Sequence, residues 1–144
     1  MSSGLARGID TAALTSAISS GGNVLGVIGT PLDKAYPAEN RRLQEQVYES
    51  HLLLTPFENG QRVFPSNFPQ RNRVMAMLSD ATVIIEASDT SGTLHQAAEC
   101  VRQNRLLFIT KSVIEDKELT WPAKFLGKSC VRILERTSDI TDLI

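Results

Sequence analysis

Ala81-Thr82-Val83-Ile84-Ile85-Glu86-Ala87-Ser88-Asp89-Thr90-Ser91-Gly92-Thr93 is an apolar, β-branched run that breaks into small hydroxyl residues. The run has the length and composition of a buried strand. Thr93 to Gln103 follows with a helical pattern, and Leu106-Leu107-Phe108-Ile109 is a second short apolar run. A strand, a helix and another near-continuous apolar strand predict a parallel crossover with both faces of the sheet covered.

The same alternation extends towards the amino terminus. Val24-Leu25-Gly26-Val27-Ile28 and Leu52-Leu53-Leu54 read as strands, and Thr11–Ser19, Asn40–Glu49 and Arg71–Leu78 as helices. The fold class is therefore α/β, a doubly wound and mainly parallel sheet with helices on both faces. Ligands of such sheets collect beyond the carboxyl ends of the strands. Three small-residue loops are expected there: Ser3 to Asp10, Gly29-Thr30-Pro31-Leu32-Asp33, and Glu86 to Thr93. If Ser3-Gly4 is a strand-to-helix turn, the strand before it is missing, so the sheet is expected to be N-terminally incomplete. Residues 1–110 are expected to form the core domain. Residues 111–144 follow as a divergent extension packed on the same domain, with Trp121-Pro122, a weak strand at Cys130–Leu134 and a terminal helix from Ser138.

A fourth loop points most directly at function. Phe64-Pro65-Ser66-Asn67-Phe68-Pro69-Gln70-Arg71-Asn72-Arg73 carries two Phe-Pro pairs, which predict an exposed loop leading into a helix. It places aromatic rings and two guanidinium groups near the positive end of a helix dipole. Neutralising phosphates while stacking on bases is how single-stranded nucleic acid is held.

Composition sets bounds on this reading. Of 144 residues, 42% are hydrophobic and 22% charged, which suits one soluble domain. Fifteen basic side chains against sixteen acidic ones leave no net field to attract a polyanion, so any such partner depends on local clustering. Lys34 is the only lysine before Lys111, and arginine is the better fork for phosphate. Cys100 and Cys130 have no metal or disulfide spacing, and Cys100 is expected to be buried and free. With neither a membrane-length apolar run nor a signal-peptide layout, the expected location is cytoplasmic.

The four loops, in this order and spacing, resemble the DprA/Smf family of DNA-processing proteins over residues 2 to 110. Ser3-Gly4-Leu5-Ala6-Arg7-Gly8-Ile9-Asp10, Gly29 to Asp33 with Tyr36-Pro37-Ala38-Glu39-Asn40, Asn67 to Arg73, and Glu86 to Leu94 carry the match. The resemblance implies a Rossmann-like domain that binds single-stranded DNA without cutting it, forms a homodimer and helps load a RecA-type recombinase. It also implies roles by position. Phe68 stacks on a base, Arg71 and Arg73 contact phosphate or hold the loop, and Asn67 belongs to the same motif. Ser91, Gly92 and Thr93 offer donors to another phosphate, Gly4 and Arg7 line the adjoining end of the pocket, and Gly29 and Thr30 form its floor. The chain departs from the family in lacking an upstream strand and a Gly-Ser-Arg phosphate loop. It also has Leu14 where His is common, and Ile109-Thr110-Lys111-Ser112 where a Val-Pro-Gly turn is usual. It reads as a truncated or divergent paralogue.

Several side chains have a structural alternative. Arg71 and Arg73 are two apart and cannot share a helical face, so one of them is free to pair with a carboxylate such as Asp80 or Glu86. Phe68 is also placed to staple the helix start, Tyr36-Pro37 reads as a rigid turn, and Asp10 and Asp33 as amide caps. Ser91, His95 and Asp89 lie too close together for a triad, whose histidine bridges separate segments. No catalytic residue, metal site or cofactor is assigned, and no membrane partner. The rival reading is a nucleotide-derived small-ligand binder or phosphoribohydrolase-type domain, which lacks its expected glycine cluster between Glu86 and Thr93.

Overall fold

The computed structural model describes residues 1–144, in two compact units, Met1–Met75 and Ala76–Ile144. In the first unit, β1 (Ser2–Ser3), α1 (Ile9–Ser19), β2 (Leu25–Val27), α2 (Arg41–Ser50) and β3 (Leu52–Leu54) follow in order. Helix α3 (Asn67–Leu78) carries the chain into the second unit. There β4 (Ala81–Ile84), α4 (Thr93–Arg102), β5 (Leu106–Thr110), α5 (Lys111–Glu115), β6 (Val131–Leu134) and α6 (Ser138–Thr141) complete the fold. The expected sheet is realised as two three-stranded sheets, ordered β1-β2-β3 and β4-β5-β6, and every pairing is parallel. Helical crossovers between neighbouring strands give this result, and the fold is α/β and Rossmann-like.

Two expectations are corrected. The strand before Ser3-Gly4 is present as the two-residue β1, with Ser2 opposite Leu25 and Ser3 opposite Gly26. Its polar composition hides it from any apolar-run criterion. Helix α3 begins at Asn67 rather than Arg71, so Phe68-Pro69 lies inside its first turn. Proline is tolerated there because first-turn amides have no intrahelical acceptor.

In the first unit, Leu14, Ala17 and Ile18 share a face of α1, and Leu43 and Val47 a face of α2. Together they cover Leu5, Val24, Ile28 and Leu53. Helix α1 stops at Gly21, whose φ of 74° belongs to glycine, and the Gly21 and Gly22 amides return to the Ile18 and Ala17 carbonyls. In the second unit β5 is central, with Leu107, Phe108 and Ile109 fully buried. Ile84, Ala97, Cys100, Leu107 and Ile109 pack with Val113, Trp121 and Phe125. Cys100 is buried and free, as expected, and so is Cys130.

Trp121 is the anchor of the carboxyl-terminal segment. It is 0% exposed, packs edge-on to Phe125 at 5.8 Å, and donates Nε1–H to the Ala87 carbonyl at 2.9 Å. Trp121→Ala is expected to lower unfolding free energy by about 3–5 kcal/mol in urea titrations. Tyr48→Ala, at a side chain 67% exposed, should change it by less than about 0.5 kcal/mol.

Candidate nucleic-acid interface

Helix α3 brings Arg71 into the first unit, where the residue is only 7% exposed. Its Nη1 donates to the Gly4 carbonyl and, at 3.0 Å, to the Val27 carbonyl, while Nε donates to Asn72 Oδ1 at 2.8 Å. The guanidinium thus ties the ends of β1 and β2 to the helix. Within the first unit the Arg71 guanidinium contacts carbonyls and Asn72 rather than a carboxylate. Burial pushes the Arg71 guanidinium below its ordinary pKa, and the charge of Asp10 opposes that shift. The charge itself persists, since arginine is not deprotonated in proteins.

Asp10 acts through the backbone. Its Oδ2 accepts from the Gly4 amide at 2.9 Å and the Ala6 amide at 3.3 Å, so the Gly4 residue links carboxylate to guanidinium. This is the amide-capping task expected of it, directed at the preceding loop. A Cβ on Gly4 would overlap the Arg71 guanidinium, so this glycine makes room for that side chain. Asn40 holds the next stretch, with Nδ2 donating to the Leu5 carbonyl at 2.9 Å and to Thr11 Oγ1 at 2.8 Å.

Phe68 lies against Gly29, where a Cβ would come within 2.7 Å of the ring. Its ring is tilted 48° to Tyr36 at a centroid distance of 5.2 Å, and the Arg71 Cζ lies 5.8 Å from its centroid. Gly4, Ala6, Arg7, Tyr36, Pro37, Phe68 and Arg71 line one pocket of about 340 Å³. That is the size of a small-ligand cleft, with one aromatic wall and one cationic wall. Arg7 stands at the rim and donates to Glu39 at 2.8 Å, and this bond and charge raise its pKa.

The other expected residues divide. Thr30 is buried and its hydroxyl donates to the Lys34 carbonyl at 2.8 Å, so it serves the turn. Asn67 is buried at the helix start, with its amide on the Phe64 carbonyl at 3.0 Å. Arg73 is exposed. Tyr36 and Pro37 were legible only as a turn. They are joined by a cis peptide and both line the pocket.

Ser91, Gly92 and Thr93 belong to the second unit, at the start of α4. Ser91 Oγ accepts from the Thr93 amide at 3.2 Å, a local turn bond that spans the Gly92 N-cap of α4. Asp89 fixes the loop: its carboxylate accepts from the Trp121 amide at 2.8 Å, the Thr120 amide at 3.1 Å and the Thr120 hydroxyl at 3.1 Å. These bonds commit Asp89 to the loop rather than to His95. Desolvation raises its pKa, but the Trp121 and Thr120 hydrogen bonds and Lys124 outweigh that, and the net shift is downward.

The sequence profile of the DNA recombination-mediator protein A family matches residues 1–144. The chain belongs to this family. It is 40% identical over 114 residues to the DNA processing protein DprA of Streptococcus pneumoniae, covering 79% of this chain and 40% of that protein. The Bacillus subtilis DprA is 30% identical over 131 residues, covering 91% of this chain and 44% of that protein. The X-ray structure of the S. pneumoniae DprA superposes with a TM-score of 0.87 and 34% identity, covering 99% of this chain and 50% of that one. A Helicobacter pylori DprA structure, described for its single-stranded DNA binding mode, shares the fold with a TM-score of 0.81 at 24% identity, covering 98% of this chain and 63% of that one. The chain spans less than half the length of these two DprA sequences.

Gly29→Ala should cost about 1–3 kcal/mol by crowding Phe68. The penalty should shrink in a Phe68→Ala background, measured as a double-mutant cycle in urea. A depressed carboxylate pKa contributes stability above the unfolded value, about 3.9, and loses it as pH falls through the folded value. Trp121 is the sole tryptophan. Its fluorescence should therefore change as pH falls below about 4, and Asp89→Asn should remove that transition.

Proposed function

We propose that this chain binds single-stranded DNA without cleaving it, as part of DNA processing. The observation that carries the reading is a buried guanidinium, free of any carboxylate partner, lining a pocket walled by Phe68 and Tyr36. A phosphate supplies a contacting anion where Asp10 acts only from one peptide away, and a base supplies a π-face for the rings. Arg73, exposed on the same helix, adds a second cation. Ser91, Gly92 and Thr93 are proposed to lie against a further phosphate at the start of α4.

The reading is one of binding without chemistry. Asp89 and Ser91, the groups nearest to a catalytic set, are both engaged in holding their own loop. The family description as recombination mediator supports a RecA-type recombinase as partner, and the family resemblance supports a homodimer. A cytoplasmic location is proposed with them, and no helix is long and apolar enough to cross a membrane.

Fluorescence anisotropy of a labelled oligo-dT across a salt series tests the reading. Wild type should bind with steep salt dependence, Arg71→Ala/Arg73→Ala should lose most affinity, and Arg73→Ala alone should lower the salt slope by about one. Absence of binding at low salt by folded wild type sinks the proposal. Sizing the complex with and without a RecA-type recombinase reads the two assembly proposals.

A further inference from the structure

Arg62 and Phe64 form a second aromatic-cation pair, outside the pocket. The Arg62 Cζ lies 5.5 Å from the Phe64 ring centroid. Phe64 is 50% exposed, so part of its ring is open to solvent. Arg62 is exposed and unpaired, so its charge is available.

The pair is held at both ends. Ahead of it, Lys34 Nζ donates to the Gln61 carbonyl at 3.0 Å, and the Gln61 amide closes a turn on Glu58 at 3.1 Å. Behind it, the Phe64 carbonyl accepts from the Asn67 amide at 3.0 Å. That i to i+3 bond keeps the Phe64 and Asn67 Cα atoms within about 7 Å. Phe68 is the next residue, so the two phenylalanines flank one turn at the start of α3.

We infer that Phe64 with Arg62 is a second nucleotide subsite, in which Phe64 stacks on the base adjoining the one held by Phe68 and Arg62 neutralises a phosphate. Phe64 needs no hydrogen-bonding edge for this, so the subsite accepts any base. Lys34 fixes the height of the platform through Gln61. The inference rests on the single-stranded DNA reading and extends its footprint along the strand.

Oligo-dT of stepwise length, titrated by anisotropy into the full chain, tests it. Phe64→Ala should weaken binding by about 5- to 100-fold on long oligomers and leave the shortest binding oligomer unaffected. Phe64→Trp should restore affinity, which a merely structural role for Phe64 would not predict. Arg62→Ala should lower the salt slope by about one. Thermal melting of each variant should match wild type. If wild type binds and both variants bind equally well at every length and salt, the subsite is overturned while the DNA reading stands. If folded wild type binds no oligomer, both fall together.

Discussion

A buried positive charge bonded to carbonyls rather than to a carboxylate constrains everything around the pocket. Arg71 satisfies its N–H groups with the Gly4 and Val27 carbonyls and with Asn72, and its countercharge, Asp10, stands one peptide away. Burying a cation without a contacting anion is costly, and the arrangement persists because every adjoining element is shaped to it. Gly4 has no side chain where the guanidinium lies, β1 and β2 end where their carbonyls can be reached, and the first turn of α3 delivers the side chain.

That arrangement separates two tasks which a motif alone leaves merged. Arg71 builds the wall of the pocket and presents charge through it, whereas Arg73, two residues on, is exposed and carries no structural duty. Phe68 is placed by Gly29 beneath it and Tyr36 beside it, so its ring is oriented before any ligand arrives. A preordered wall reduces the entropy lost on binding. In the second unit the loop before α4 is prepared in the same spirit, by Asp89 on Thr120 and Trp121.

Most strands and helices were legible because burial imposes a period. Leu52–Leu54 and the runs around Ile84 and Phe108 announced themselves by continuous apolar character, and α1, α2 and α4 by their spacing. Boundaries that rest on polar or proline-containing residues were not. Ser2–Ser3 pairs through its backbone alone, and the start of α3 includes Pro69 because a first turn needs no amide there. The short α5 and the turn at Pro122–Lys124 leave no periodic trace, having too few residues to show one.

The sequence by itself determined the α/β class, the order of elements and the loops that hold the site, since these follow from local hydrophobic period, glycine and proline. It also singled out Phe68, Arg71 and Arg7, which line one pocket. Only the tertiary structure decided what each does. Whether an arginine faces a carboxylate, a carbonyl or solvent depends on residues as distant in sequence as Gly4 and Arg71, and no local pattern encodes that distance. For the same reason Tyr36 reads as a turn in the sequence and becomes a pocket wall once α3 sets Phe68 against it.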